Sequence, residues 1–207
     1  MLALCSLIDL YNVENPAEAE GVGLWDIMSN PYGTDNSGDP NFLSAWSKKE
    51  VEWVTAEEIT YDGIYVLKPA ATSTQAYQIS VNSFGFAPEY LLIENRQRIS
   101  YDQSIWADGL MIYHIDDAAN GMQSRGFPGQ EGWPENGNHY QVAVLPKDGQ
   151  YDLEQNVNKG DAGDMWLPGD VLGPGIGNTV FPNTDSVSSC RSTSVFVVFA
   201  KCSLLFK

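Results

Sequence analysis

The hydrophobic and polar positions change period along the chain. Residues 12–40 carry "NVENPAEAEGVG" and "SNPYGTDNSGDP", rich in Gly, Asn, Asp and Pro, which predict loops interrupted only by the apolar "LWDIM". In "DPNFLSAWSKKEVEWV" the apolar residues Phe42, Leu43, Trp46 and Trp53 recur near helical spacing, and Lys48 and Lys49 fall opposite them on a solvated face. Asp39 suits the cap and Pro40 the first helical position, so the spacing predicts one helix near 40–54. From residue 58 the runs shorten and become β-branched and aromatic: "ITYDGIYVL", "QAYQISVNS", "EYLLIEN", "GLMIYHID" and "YQVAVLP". They predict a mostly antiparallel sheet of about five strands within 58–146. The expected fold class is α+β, one helix plus a mostly antiparallel β-sheet with long Gly/Asp-rich loops.

Two long connections stand outside this pattern. "DDAANGMQSRGFPGQEGWPENGNH" is polar and long, as functional loops tend to be. "DLEQNVNKGDAGDMWLPGD" has no regular period and predicts an acidic loop near 158–170. The end of the chain, 183–207, differs in kind: "SVSSCRSTSVFVVFAKCSLLFK" has no acidic residue and no glycine, and it holds Cys190 and Cys202. It reads either as a buried final strand or as a tail foreign to the domain.

Charge narrows the partners. The chain has 27 acidic against 11 basic residues, a net charge of −16. Such a surface repels phosphate backbones and anionic lipid, which argues against nucleic-acid or membrane-surface binding. No apolar run reaches the length of a membrane span. Met1 to Ile8 is apolar but lacks a basic start and a small-residue cleavage site, so no signal peptide is read there. The three cysteines lie at the extremes of the chain and form neither a disulfide framework nor a zinc knuckle.

The residues alone offer few chemical constellations. His114, followed by "IDD", is either a metal ligand or an ordinary hydrogen-bonding histidine. Asp161, Asp164 and Asp170, with Asn158, supply hard oxygens on a Gly-rich loop, as calcium requires, but without the regular twelve-residue spacing of the EF-hand. A solvated acidic turn is the plainer reading of the same residues. "GTDNSGDP" carries the same two readings. Trp25 and Met28 suit either an apolar core or the Met-containing turn beneath a zinc site.

The order of the pieces goes further. "IDLYN…GVGLWDIMS…LSAWSKKEVEWV…EYLLIENRQ…GLMIYHIDD…GDAGD", over roughly 7–182, resembles the catalytic domain of the immune inhibitor A-type family of secreted zinc metallopeptidases. In that family a helix with H-E-x-x-H runs into "D-L-Y"; a "G-x-W-D-L-M" turn, an "L-S-A-W" helix, "L-I-E-N-R-Q", "H-I-D" and "G-D-A-G-D" follow. The resemblance implies the C-terminal subdomain of a zincin-type metallopeptidase, with a Met-turn near 24–29. It places Asp9, with Leu10 and Tyr11, at a candidate zinc ligand, and Glu50 as a weaker alternative. Trp25, Asp26 and Met28 match the Met-turn. Glu94, Asn95, Arg96 and Gln97 match a signature expected to be structural, with Glu94 and Arg96 pairing or clamping neighbouring loops. His114 and Asp116 match the strand end, and Asp161 and Asp164 a loop where calcium is expected.

The departures bear on activity. Counting back from Asp9, the second zinc histidine falls at Ala3, and the family glycine at Ser6. The first histidine and the general-base glutamate fall before Met1, so Met1 reads as an internal position of a longer domain. Zinc hydrolysis needs a ligand set with an open position and a carboxylate to deprotonate the bound water. The expectation is a fragment of a secreted zinc-dependent endopeptidase acting on protein or peptide substrates, inactive as given and without bound zinc. The alternatives are a non-catalytic calcium-binding β-rich module and a poorly folding gene fragment.

Overall fold

The computed structural model describes residues 7–31, 40–82, 89–133, 136–172, 197–200 and 203–206. Alternating apolar residues build the central strands. β1 is Thr55–Glu58, β2 Gly63–Val66, β3 Gln75–Asn82, β4 Glu89–Arg96, β5 Gly109–Asp116 and β6 Val142–Val144. β7 is Val171–Leu172, β8 Val197–Ala200 and β9 Ser203–Phe206; the one α-helix among the described residues, α1, is Ala45–Glu50. A five-stranded sheet runs in the order β1-β3-β4-β5-β6, and a four-stranded sheet in the order β2-β9-β8-β7. All pairs are antiparallel except β1 with β3. The molecule is α+β and mostly sheet, as expected.

Strand period sorts the core into two faces. Tyr90 and Leu92 of β4 join Met111, Tyr113 and Ile115 of β5 beneath Trp25 and α1. Leu91 and Ile93 join Leu110 and Ile112 on the other face, with Tyr77, Ile79, Tyr151 and Trp166. Every residue of β4 is therefore buried, the polar Glu89, Glu94, Asn95 and Arg96 as well as the apolar centre. A parallel pair needs a crossover. Here the segment between β1 and β3 supplies it by leaving the sheet, so that β2 pairs with β9.

Several expectations need correction. The helix covers Ala45–Glu50 rather than 40–54. Ser44 caps it, its Oγ accepting from the Ser47 N–H at 3.2 Å. The Asp26 carboxylate accepts from the Ser44 N–H at 2.8 Å and the Ser47 hydroxyl at 2.6 Å, fixing the start there. Glu52 adopts φ 60°, which ends the helical run, and Trp53 lies exposed. Lys48 is buried rather than solvated. "ITYDGIYVL" contributes only β2, and that to the second sheet, while the polar "TAEE" of β1 forms the edge of the first. Asp39, Ala3, Ser6 and "GTDNSGD" lie outside the described residues, as do all three cysteines. Of the 183–207 tail, the described β8 and β9 form a hairpin.

Candidate functional site

Segments far apart in sequence meet beneath the first face of the sheet. Arg96, at the end of β4, is fully buried. Its Nε and Nη2 donate to the two oxygens of Asp102 at 2.6 Å each, and its Nη1 donates to Glu94 at 3.2 Å and to the Trp25 carbonyl at 3.1 Å. Glu94 also accepts from Lys48 Nζ at 2.5 Å and from the Tyr113 hydroxyl at 2.9 Å. The guanidinium fork suits this planar, two-oxygen arrangement in a way that a lysine does not. Burial alone would push the Glu94 carboxyl up, but Lys48 and Arg96 hold it below its ordinary value. Burial likewise opposes the Arg96 charge, and Glu94 and Asp102 outweigh it, keeping Arg96 well above its ordinary value.

The turn at 24–29 is tied into the same region. Asp26 accepts from the Met28 N–H at 2.8 Å as well as from Ser44 and Ser47. Burial pushes its carboxyl up against those hydrogen bonds. Met28 packs against the core, and its carbonyl accepts from the Leu10 N–H at 3.1 Å, so the "DLY" segment lies on this turn. Gly23 lets the chain pass close to a neighbouring loop: φ is 57°, and a Cβ there would collide with the Lys159 carbonyl. Asn95, on the other face, donates to the Leu67 carbonyl at 2.8 Å and accepts from Gln97 at 3.4 Å.

The candidate zinc ligands are not gathered. Asp9 is exposed and accepts from the Tyr11 hydroxyl at 3.2 Å. Glu50 is exposed at the end of α1. Both histidines of the chain are engaged with carboxylates elsewhere: His114 Nε2 lies 2.9 Å from Glu89, and His139 Nε2 lies 2.6 Å from Asp116. Among the described residues no three His, Cys, Asp or Glu side chains are arranged to hold one metal ion. These residues do not fit the zinc centre of a hydrolase.

The acidic loop is internally bonded. Asp161 caps a short 3-10 turn over Ala162–Asp164, accepting from the Gly163 N–H at 2.6 Å and from Asn158 at 2.7 Å. Asp164 is buried and accepts from the Trp25 indole at 2.8 Å and from the Asp161 N–H at 2.9 Å. Burial, aided by Asp161 and Asp148, raises its carboxyl to about 7 despite those hydrogen bonds. Asp170 is engaged separately, with the Leu167 N–H at 2.7 Å and Lys147 at 3.4 Å.

Beside β5 and β6 lies a small, partly enclosed cavity of about 20 Å³, lined by residues that include His114, His139, Tyr151 and Glu154. His114 and His139 meet there edge to face, their ring centres 6.3 Å apart. The histidine-paired Asp116 sits below its ordinary value: burial raises it, and the hydrogen bonds from His139 and the Ala118 N–H prevail. Glu154, Lys48 and Asp102 are site residues that sequence reasoning missed. Each looks like an ordinary solvated charge in its local run, and only tertiary burial distinguishes it. No family model, curated protein or solved structure matches the chain.

Proposed function

We propose that this chain is the β-rich part of a secreted zinc metallopeptidase catalytic domain similar to the immune inhibitor A type, and that by itself it is a scaffold without hydrolytic activity. The observation that carries this reading is the convergence of "LWDIM", "LSAWSKK" and "LIENR" on the buried network around Arg96. Chance matches to a family pattern have no reason to share one network of buried hydrogen bonds. Hydrolysis by zinc-activated water needs several ligands and a proton-accepting carboxylate around one ion. Asp9, the candidate ligand that the resemblance implies, stands exposed and accepts from the Tyr11 hydroxyl.

The test is a casein-cleavage assay on the purified chain with added zinc. No chelator-sensitive turnover is expected, and robust turnover would overturn the reading. Melting curves in the same preparation separate the alternatives. A cooperative transition insensitive to millimolar calcium fits the scaffold, a large calcium-induced rise fits a calcium-binding module, and no transition fits a poorly folding fragment.

A further inference from the structure

The dipeptide Asn-Gly occurs twice in the chain, at Asn120–Gly121 and Asn136–Gly137, and both fall in the long polar loop between β5 and β6. In such a pair the glycine's peptide nitrogen can attack the side-chain carbonyl carbon of the asparagine. Glycine carries no side chain to hinder closure of the five-membered ring. By sequence the two pairs are equivalent; in the fold they are not.

Gly121 is held at both of its backbone groups. Its N–H donates to the Ala119 carbonyl at 2.9 Å, and its carbonyl accepts from the Gln141 N–H at 2.8 Å. The Asn120 amide is turned to Gln123, donating to its Oε1 at 2.5 Å. Attack by the Gly121 nitrogen therefore requires these bonds to be given up first.

The second pair is arranged differently. Asn136, Gly137 and Asn138 are all exposed. Among the described residues the Gly137 N–H donates to no acceptor, so its nitrogen can lose its proton to solvent base. The Asn136 Oδ1 accepts from the Asn138 N–H at 2.9 Å. That oxygen takes up negative charge as the nitrogen adds to the carbon, and an N–H fixed beside it stabilises the charge. The Asn136 Nδ2, which must leave, makes only a long 3.5 Å bond to the Glu131 carbonyl. Gly121 and Gly137 have similar φ, 61° and 69°, so the hydrogen bonds and not the backbone conformation separate the two sites.

We propose that Asn136 is a site of spontaneous deamidation in the folded chain and that Asn120 is protected by the fold. The Gly137 nitrogen loses its proton and bonds to Asn136 Cγ; the Cγ–Nδ2 bond breaks, and the amide nitrogen departs as ammonia. The product is a succinimide, which water opens at either carbonyl to give aspartate or isoaspartate. Either product adds one negative charge to a chain already at −16. Isoaspartate also lengthens the main chain just before His139, whose 2.6 Å bond to Asp116 closes the base of the loop.

The experiment is incubation of the whole chain near pH 8, in a buffer where it melts cooperatively and in parallel in urea, followed by tryptic mass mapping. Cleavage at Arg98, Arg125 and Lys147 puts the two sites on separate peptides, 99–125 and 126–147. In the native sample, peptide 126–147 should gain the mass of an amide-to-acid exchange at least about fivefold faster than 99–125, the factor that one freed hydrogen bond supplies. In urea the two rates should converge. An isoaspartate-specific methyltransferase should label the native product at position 136. Equal native rates, faster reaction at Asn120, or a native ratio that persists unchanged in urea would overturn the proposal. Asn136→Gln should abolish the mass gain of 126–147 and leave the rate at Asn120 unchanged; a continued gain in that peptide would also overturn it. Mass and not activity is the readout, so the metallopeptidase reading stands or falls separately.

Discussion

Two buried carboxylates of this molecule have opposite fates. Glu94 is bracketed by Lys48 and Arg96 and is held ionised, below its ordinary value. Glu154 has no cation paired with its carboxyl among the described residues and is pushed to about 8. Both are essentially removed from water, so burial is common to them and the neighbouring charge decides. The first arrangement locks four chain segments together, and its charges are spent on one another. The second leaves a buried carboxyl that holds its proton up to about pH 8. A buried ion pair is also weak evidence of net stability, since desolvation offsets much of the attraction. What it enforces is the cost of losing one member.

The most severe break of this comparison is Arg96→Met. It strands Glu94 and Asp102 without their guanidinium and should cost about 3–5 kcal/mol in urea unfolding. Next comes the pH dependence of the melting temperature. Glu154 and Asp164 have folded-state values raised from 4.5 and 3.8 to about 8 and about 7. The folded state therefore holds protons that the unfolded chain releases. Their contribution is fully present below the unfolded values and lost as pH rises through about 7–8. Glu94 acts with the reverse sign, its contribution lost as pH falls below its ordinary value. The melting temperature should peak near about pH 5 and fall towards pH 8. E154Q should flatten that fall, and an unchanged slope would dissociate it from Glu154.

Trp25→Phe tests the link between the two regions. It removes the indole donor to Asp164, one of two hydrogen bonds on that buried carboxyl, and should cost about 1–3 kcal/mol by calorimetry. The smallest effect belongs to the exposed Arg98–Asp108 pair at 3.3 Å. Arg98→Ala should change stability by less than about 1 kcal/mol. A loss there comparable with that of Arg96→Met would show that burial is not what separates the two kinds of pair.

Much of the sheet was legible in local pattern. β3, β4 and β5 follow their runs closely because alternating or continuous apolar residues have few other ways to be buried. The helix was overread. Phe42 and Leu43 have helical spacing, but the Asp26 carboxylate, eighteen residues away from Ser44, captures the Ser44 N–H and sets the start. β1 was missed because "TAEE" has strand pairing without strand composition, an option open to a sheet edge. "ITYDGIYVL" was assigned to the wrong sheet because its partner, β9, is supplied by the distant end of the chain.

By itself the sequence determined the α+β class, the principal strands and the acidic balance, since composition and short-range periodicity are local properties. It also supplied the ordered segments behind the metallopeptidase resemblance, with Glu94 and Arg96 among them. The partners of those residues came only with tertiary structure. Lys48 reads as a solvated lysine and proves to be buried against Glu94, and Glu154 reads as a loop carboxylate and proves to face a cavity without a cation. The reason is physical: a charge's behaviour depends on what lies within a few ångströms of it, and in a folded chain those neighbours are mostly remote in sequence.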